Sequence, residues 1–283
     1  MTAIILDGSA LSLQMQEKMA KLVSVKFVNS PPPKLAVILV GENPASKSYV
    51  RTKERTAKKL GFATEVKHFT EKASMSEILD AIEAFNRDPH CDACFVQLPV
   101  PKPLDGLVLT AHVSSQKDAD GLTPTSMGRL LLGESGAFLP CTARGIISLL
   151  DHYKLELSGK DAVVVGRSNI VGKPVSLLLQ RRNCTVTMCH SKTRDLEAHV
   201  RRAELLVVAT GVAGLIKGEW IREGAIVIDA GFNKLEDGSI VGDVEFNTAK
   251  ERAAYITPVP GGVGPMTVIS LLEQCLESAL RRV

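Results

Sequence analysis

Short runs of apolar residues alternate along the chain with longer segments in which apolar residues recur at helical spacing. The short runs predict buried strands at residues 35–40, 93–98, 162–165, 186–188, 205–209 and 225–228. The periodic segments predict helices at residues 44–60, 76–86, 143–153, 173–182, 196–202 and 265–282. Strands that alternate with helices favour right-handed βαβ units and parallel sheets covered by helices on both faces. The pattern therefore predicts an α/β protein.

The length of the chain and the position of its breaks predict two domains. A chain of 283 residues is long enough for two cores, and a proline and a cysteine within residues 139–142 mark a boundary. We expect the helix at 143–153 to connect the domains and the last helix to pack back on the first one. The predicted domains are residues 1–140 together with 265–283, and residues 141–264.

Composition narrows the class of protein. Apolar residues make up 45% of the chain and charged residues 23%, as in an ordinary globular protein. A net charge of +3 is too small to favour a nucleic-acid or membrane partner, and no apolar run has the length of a membrane span. The N-terminus lacks the basic region of a secretory signal, and six scattered cysteines favour a reducing compartment. We therefore expect a cytoplasmic protein.

One cysteine pair resembles a metal motif. Cys91 and Cys94 have the C-x-x-C spacing, but no second pair and no suitably spaced histidines accompany them. They open a predicted buried strand, where cysteine packs as a small apolar residue. We predict no metal site.

A glycine turn in the second predicted domain indicates a nucleotide site. The strand that ends before Gly166 runs through a short turn to Gly172, and a helix with Pro174 in its first turn follows. A strand, a glycine turn and a helix N-terminus present free backbone N–H groups to a phosphate. The spacing differs from the usual G-x-G-x-x-G, so a plain βα turn stays open as the alternative.

The end of the next strand favours NADP over NAD. An acid at that position commonly binds a free ribose 2′-hydroxyl, whereas basic or hydroxyl groups accept a 2′-phosphate. Here Ser191 and Lys192 follow the strand, no acid occurs before Asp195, and Arg167 and Ser168 lie in the glycine turn. Lys192 can equally be a solvated loop charge. The later strand ends, at residues 209–211 and 229–231, lie at the sheet edge where ligands bind in open α/β folds.

Candidate chemistry in the first domain centres on one lysine. The helix at 44–60 places Lys53 in a stripe with Ala45, Tyr49, Ala57 and Leu60. An inward lysine is costly unless it meets a partner, and a lysine that reaches back to the surface is the alternative. The Tyr-x-x-x-Lys pattern also occurs in short-chain dehydrogenases. There it follows the glycine turn, whereas here it precedes that turn by more than a hundred residues.

Three further segments carry polar groups or glycines at the ends of predicted elements. Gln97 ends an apolar strand, Asp118 and Asp120 lie in one turn, and residues 257–267 form a loop dense in proline and glycine. Capping and turn chemistry account for the first two equally well. The loop is suited to close approach by a flat ligand.

Taken together, these segments resemble the bifunctional methylenetetrahydrofolate dehydrogenase/cyclohydrolase family. The blocks at residues 46–53, 96–99, 118–121, 166–172 and 258–267 occur in the family's order and span almost the whole chain. The last block, Pro-Val-Pro-Gly-Gly-Val-Gly-Pro-Met-Thr, is the most specific. Ala143 and Ala213 stand where the family usually has proline, and Phe232 where isoleucine is usual.

The resemblance implies a Rossmann-like NADP-binding domain at 141–264, a folate-binding catalytic domain formed by the rest, and an active-site cleft between them. It implies oxidation of 5,10-methylenetetrahydrofolate with NADP, then hydrolysis to 10-formyltetrahydrofolate, by a homodimer that serves purine, methionine and histidine synthesis. It assigns catalysis to Lys53, Gln97, Asp120 and Tyr49. It assigns folate binding to Ser46, Tyr49, Asp120, Pro258, Pro260, Gly261 and Gly262. It assigns cofactor binding to Gly166, Arg167, Ser168, Ile170, Val171, Gly172, Ser191, Thr210, Gly211 and Phe232.

Two other hypotheses stay open. One is a short-chain-type NADP dehydrogenase that uses Tyr49 and Lys53. The other is a nucleotide-sensing module without catalytic activity, against which the presence of Lys53, Gln97 and Asp120 argues.

Overall fold

The computed structural model describes residues 2–283, which form two compact units. The three-stranded unit contains residues 14–141 and 268–283, and the six-stranded unit contains residues 2–13 and 142–267. Each unit is built on a parallel sheet, so the predicted α/β class is confirmed. Within the described residues, no helix is long and apolar enough to cross a membrane.

The sheet of the three-stranded unit has the order β3-β2-β4, and all of its strand pairs are parallel. Its strands are β2 (Lys34–Val40), β3 (Ala63–Phe69) and β4 (Ala93–Val96). The central strand, β2, is almost completely buried, as expected for a parallel strand covered on both faces. A core of apolar side chains lies between this sheet and α3 (Met75–Arg87).

The remaining helices with residues in this unit are α1 (Gly8–Lys26), α2 (Pro44–Lys59), α4 (Gly106–Ala111), α5 (Pro124–Leu132) and α10 (Val263–Ala279). Side chains cap the starts of α2, α3, α4 and α5. The side chain of Asn43 accepts a hydrogen bond from the amide of Ser46 and caps α2, whose first residue is a proline. Ser74 and Glu77 form a reciprocal capping box on α3.

The sheet of the six-stranded unit has the order β1-β11-β8-β7-β5-β6, and its strands are parallel. They are β1 (Ile4–Ile5), β5 (Asp161–Val165), β6 (Thr185–Cys189), β7 (Leu205–Val208), β8 (Ile226–Asp229) and β11 (Tyr255–Ile256). The helices are α6 (Cys141–His152), α7 (Gly172–Arg181), α8 (Leu196–Arg202) and α9 (Phe246–Ala249). A short antiparallel hairpin, β9 (Asn233–Lys234) and β10 (Ile240–Val241), follows β8.

The strand order places a change of winding direction beside β5. The chain leaves β5 for β6 on one side and returns to β7 on the other. In open parallel sheets, ligands bind outside the carboxyl ends of the strands at such a point. A nucleotide is therefore expected to bind at the loops that follow β5, β6, β7 and β8.

Candidate active site

The lysine predicted from the helix stripe is buried. Lys53 is 7% exposed, and its Nζ donates a hydrogen bond to Oε1 of Gln97 across 3.3 Å. The same ammonium lies 4.0 Å from the centre of the Phe95 ring. A charged amine over an aromatic face is stabilised by the ring quadrupole. Lys53, Phe95 and Gln97 thus form one cluster at the carboxyl end of β4.

Gln97 is held in place from two sides. Its backbone amide donates to the carbonyl of Ile38 and continues the pairing of β4 with β2 beyond the strand. Its Nε2 donates to the carbonyl of Leu98 at 2.7 Å. The amide donor is therefore engaged, and the amide oxygen faces the lysine.

The inward face of α2 is rotated by one position from the predicted stripe. Ser46, Val50, Lys53 and Ala57 are buried, whereas Ala45 and Tyr49 are exposed. The predicted inward position of Lys53 therefore agrees with the structure, and that of Tyr49 does not. Partial burial nevertheless raises the pKa of the Tyr49 phenol.

The two aspartates of the turn after the fourth strand have different environments. Asp118 is buried, and its carboxylate accepts hydrogen bonds from the amides of Leu122 and Thr123. Burial raises the pKa of Asp118, although these hydrogen bonds oppose the rise. Among the described residues, the carboxylate of Asp120 has no hydrogen-bond or ion-pair partner. Asp118 therefore builds the turn, and the half-buried Asp120 is available to a ligand.

The C-terminal helix fixes this turn. Gln274, on α10, is fully buried, and its Nε2 donates to the carbonyls of Ala119 at 2.7 Å and Leu139 at 2.9 Å. Its Oε1 accepts from the amide of Leu139 at 2.7 Å. Gly121 has a φ of +70°, and a Cβ there would lie 2.2 Å from the carbonyl carbon of Leu139. Only glycine suits that position.

In the six-stranded unit, the glycine turn, residues 166–172, joins β5 to α7 as predicted. Gly166 has a φ of +133°, and a Cβ at Gly172 would lie 2.2 Å from the carbonyl oxygen of Gly166. Oγ of Ser168 accepts hydrogen bonds from the amides of Val171 and Gly172. Arg167 and Ile170 are exposed. The tight turn at a helix N-terminus fits a dinucleotide phosphate.

The segment after β6 fits a 2′-phosphate better than a 2′-hydroxyl. Ser191 and Lys192 are exposed, and the amide of Lys192 donates to Nδ1 of His190. The first acid beyond the strand is Asp195, whose carboxylate accepts from the amide of Ala198 and caps α8. That acid therefore has a structural role at the helix start.

The ends of β7 and β8 are connected by two buried acids that the sequence motifs do not indicate. Asp243 is completely buried and accepts three hydrogen bonds from Thr210 and Gly211. Asp229, the last residue of β8, is 4% exposed, and burial raises its pKa to about 6. Phe232, three residues further on, is half exposed. The only sequence signal was an acid at the end of an apolar strand, at Asp229.

The loop of prolines and glycines follows β11 in the same unit. The amide of Gly262 donates to the carbonyl of Pro258, and the carbonyl of Gly261 accepts from the amide and the hydroxyl of Ser9. Pro260 is exposed. A Cβ at Gly8 would lie 1.9 Å from the carbonyl oxygen of Gly262, so the start of α1 packs directly on this loop.

The described residues contain no group of three or more side chains that could hold a metal ion. All six cysteines of the chain lie among them as buried free thiols. Burial raises the pKa of Cys91 to about 11 and that of Cys94 still further, as expected for cysteines that pack in a core.

Two family models match the chain. The catalytic domain of tetrahydrofolate dehydrogenase/cyclohydrolase matches residues 6–120, and the NAD(P)-binding domain of the same family matches residues 140–283. The bifunctional protein FolD of Bacillus licheniformis is 46% identical over 283 residues, which is 100% of this chain and 99% of that protein. FolD of Bacillus subtilis is 47% identical over 281 residues, which is 99% of each chain.

Solved structures of the same kind superpose closely. The FolD methylenetetrahydrofolate dehydrogenase/cyclohydrolase of Campylobacter jejuni has a TM-score of 0.98 and 42% identity, covering 99% of this chain and 100% of its own. The dehydrogenase-cyclohydrolase of Trypanosoma brucei, complexed with NADP and an inhibitor, has a TM-score of 0.95 and 36% identity, covering 100% of this chain and 99% of its own. Shikimate dehydrogenase of Thermus thermophilus, at 16% identity and a TM-score of 0.54, covers 88% of this chain and 99% of its own and shares the fold alone.

Proposed function

The chain belongs to the tetrahydrofolate dehydrogenase/cyclohydrolase family, and from that premise we propose that it catalyses two consecutive reactions of one folate. It oxidises 5,10-methylenetetrahydrofolate to the 5,10-methenyl cation with NADP, and it then hydrolyses that cation to 10-formyltetrahydrofolate. The observation that carries the proposal is the buried Lys53 ammonium bonded to Gln97, because it places a proton donor on the buried face of α2. Neither a short-chain dehydrogenase nor a nucleotide sensor requires that pair.

The oxidation depends on positioning. NADP, when bound, supplies the hydride acceptor. We assign its phosphates to the glycine turn, where Gly166 and Gly172 keep the turn tight and Ser168 orders the amides of Val171 and Gly172. Arg167 and Ser191 read the 2′-phosphate. Loss of hydride from the folate leaves a cation that its two adjacent nitrogens stabilise, so the protein needs no acid or base for this step.

The remaining cofactor contacts follow from position at the sheet edge. Ile170 is exposed in the glycine turn, and Thr210, Gly211 and Phe232 follow the ends of β7 and β8. These strand ends lie next to the point where the sheet changes winding direction. We assign them to the cofactor as well.

The hydrolysis requires proton transfer. Water adds to the methenyl carbon, the bond from that carbon to N5 breaks, one proton of the water goes to N5 and the other is released. We assign the transfer to Nζ of Lys53. One N–H of its ammonium is bonded to Gln97, which leaves two for the substrate and the attacking water. Gln97 orients the amine.

Folate binding is assigned to residues of both units. In the three-stranded unit, the exposed ring of Tyr49 stacks on the substrate, and Ser46 lies one turn earlier on α2. The carboxylate of Asp120 accepts hydrogen bonds from the pterin edge. In the six-stranded unit, the contacts come from the loop of Pro258, Pro260, Gly261 and Gly262.

The same proposal includes the domain organisation, the oligomeric state and the cellular location of the protein. Residues 1–140 with 265–283 serve as the folate-binding domain and residues 141–264 as the NADP-binding domain. We propose a homodimer, supported by β6, an edge strand that pairs only with β5 among the described residues and borders a cavity of about 360 Å³. Six free thiols support a cytoplasmic location. The formylated product serves purine, methionine and histidine synthesis.

The test uses the purified protein and two assays. Methylenetetrahydrofolate with NADP should give NADPH together with transient methenyl absorbance, and methenyltetrahydrofolate supplied alone should disappear without cofactor. Reduction of NADP without hydrolysis would leave only the dehydrogenase half of the proposal. Failure of both assays would refute it.

A further inference from the structure

The carboxyl edge of the six-stranded sheet contains two buried carboxylates that the reaction described above does not use. Asp243 is completely buried and Asp229 is 4% exposed. A buried carboxylate is costly unless hydrogen bonds satisfy its oxygens. Both acids accept several hydrogen bonds, and the donors show which segments of the chain the two carboxylates hold in place.

Asp243 is bonded mainly to the cofactor turn, which we define as residues 209–211. Its Oδ2 accepts from the amide of Thr210 at 2.6 Å, from the hydroxyl of Thr210 at 2.9 Å and from the amide of Gly211 at 2.9 Å. Its Oδ1 accepts from Nδ2 of Asn233 at 2.8 Å. One carboxylate therefore joins the segment after β7 to the segment after β8. Hydrogen bonds to an ionised acceptor are about twice as strong as neutral ones.

Asp229 in turn holds the backbone that carries Asp243. Its carboxylate accepts from the amides of Asp243 at 3.0 Å, Val244 at 2.9 Å and Gly231 at 2.8 Å. Two glycines make the approach possible. A Cβ at Gly242 would lie 1.9 Å from Oδ2 of Asp229, and one at Gly231 would lie 2.2 Å from Oδ1 of Asp243.

We infer that Asp243 is a positioning residue for the cofactor: its carboxylate, fixed through Asp229, sets the conformation in which the cofactor turn binds NADP. The inference rests on the proposed function, because it assumes that Thr210 and Gly211 contact the cofactor. Asp243 itself lies beneath the turn and takes no part in the chemistry. The hydrolysis of methenyltetrahydrofolate, which uses no cofactor, does not depend on it.

The direct test is Asp243→Asn. An asparagine retains the shape, but its NH₂ group faces either the amides of Thr210 and Gly211 or the Nδ2 of Asn233, so donors oppose donors. We expect the dissociation constant for NADP, measured by titration calorimetry without folate, to rise about tenfold or more. Cyclohydrolase activity with methenyltetrahydrofolate should stay within about twofold of wild type.

The matched control is Glu245→Gln, which removes an acid two residues further on. Glu245 is half-buried, and its carboxylate pairs with Lys217. We expect the affinity for NADP to be unchanged. Unchanged affinity in Asp243→Asn would overturn the inference. A parallel loss of cyclohydrolase activity in a folded Asp243→Asn protein would also overturn it, because it would show a general structural role.

A second variant keeps the inference testable if Asp243→Asn does not fold. Asn233→Ala removes the partner of Oδ1 and leaves the carboxylate in place. We expect about a threefold weaker affinity for NADP with normal cyclohydrolase activity, as for the loss of one hydrogen bond. Unchanged affinity in this variant would then decide against the inference.

Hydrogen exchange of the wild type separates this inference from the proposed function. NADP should protect the peptide that contains residues 209–213. If NADP binds without protecting it, the assigned cofactor site is wrong and the inference fails with it. If NADP protects it and Asp243→Asn binds normally, the positioning role alone is refuted.

Discussion

At the scale of single residues, the most informative feature is a buried ammonium without a neutralising acid. Within residues 2–283, no carboxylate lies within ion-pair distance of Lys53. Its neighbours are a neutral amide oxygen and the face of Phe95. A carboxylate partner would hold the proton firmly on the amine. An amide and an aromatic ring orient the amine without neutralising its charge.

Lys53→Met tests the role of this amine. Methionine has a similar length and packs well on an apolar face, so the fold should be retained. We expect cyclohydrolase activity to fall by about 10²–10⁴-fold, the usual contribution of a positioned acid or base. The measurement is hydrolysis of methenyltetrahydrofolate alone, with folding checked by circular dichroism.

The control for that variant lies on the same helix. Lys59→Met removes an exposed lysine near the end of α2 and should leave both activities unchanged. A folded Lys53→Met protein that hydrolyses at the wild-type rate would exclude Lys53 as the proton-transfer group. The dehydrogenase assay on the same sample shows whether Lys53 also orients the substrate.

Cofactor selectivity is a second property of a single residue. Arg167 is exposed in the glycine turn, and Asp195 is engaged in capping α8. We expect Arg167→Ala to raise the KM for NADP about tenfold and to leave that for NAD nearly unchanged, because only NADP presents a 2′-phosphate.

The control for Arg167 is Arg181→Ala, at the far end of α7, which should change neither KM. An equal loss for both cofactors in Arg167→Ala would show that this arginine does not read the 2′-phosphate.

At the scale of elements, the C-terminal helix α10 supports the Asp118–Gly121 turn of the candidate site through hydrogen bonds. Gln274 on α10 bonds the carbonyl of Ala119, inside the Asp118–Gly121 turn, and the amide and carbonyl of Leu139. Gln274→Leu would leave the amide and carbonyl of Leu139 without these partners. It would also remove the hydrogen bond from Gln274 to the carbonyl of Ala119. Buried backbone groups without partners cost about 1–3 kcal/mol each.

For Gln274→Leu we therefore expect a loss of roughly 3 kcal/mol in the free energy of unfolding and a higher KM for folate, since Asp120 follows Ala119. Urea denaturation followed by circular dichroism gives the first quantity, and the cyclohydrolase assay gives the second. Gln14→Leu, at an exposed position of α1, should change neither. An unchanged KM for folate in Gln274→Leu would mean that Asp120 does not need this support.

The elements that sequence analysis predicted are those with a strong local pattern. The six apolar runs are β2, β4, β5, β6, β7 and β8, each within two residues of the predicted ends. The apolar pattern did not predict β3 because Glu65, Lys67 and His68 interrupt its apolar residues. An edge strand that is only half buried tolerates such residues. β1 and β11 are two residues long and have no pattern of their own.

The candidate site likewise contains residues that a local sequence pattern indicates and contacts that no such pattern indicates. Lys53 lies on a stripe of α2, and Gln97 and the glycine turn follow the ends of strands, so local spacing indicated their positions. The contact of Lys53 with Phe95, and those of Asp243 with Thr210 and Gly211, join residues that are distant in sequence. Tertiary packing creates such contacts, and periodicity carries no information about them. The predicted buried face of α2 was wrong by one position because the predicted stripe and the stripe that is buried in the structure both have helical spacing.

At the scale of the whole molecule, Asp229 makes stability depend on pH. Its folded-state pKa of about 6 lies above that of an unfolded aspartate, so the folded protein binds the proton more tightly. This contribution to stability is therefore complete below the unfolded pKa and is lost as the pH rises through about 6. From about pH 7.5 to about pH 5, wild type should gain roughly 1 kcal/mol relative to Asp229→Asn.

The measurement is urea unfolding followed by the fluorescence of Trp220, the single tryptophan, which packs against the core of the six-stranded unit. Taking the difference between the two proteins removes the titration of groups that both share. Parallel pH dependences for wild type and Asp229→Asn would show that Asp229 titrates at its ordinary pKa.

The division of the chain between the two units has a consequence for protein synthesis. Residues 2–13 are synthesised long before the rest of their unit, yet β1 pairs with β11, which is made after all the other strands of that sheet. Residues 14–141 follow, but their unit also requires residues 268–283, which are synthesised only after the intervening residues 142–267. The six-stranded unit is therefore complete only once residue 267 has been made, and the three-stranded unit needs the segment after it as well. A premature stop codon anywhere before residue 268 leaves the early segment with an uncovered apolar surface, which makes such products targets for chaperones and proteases.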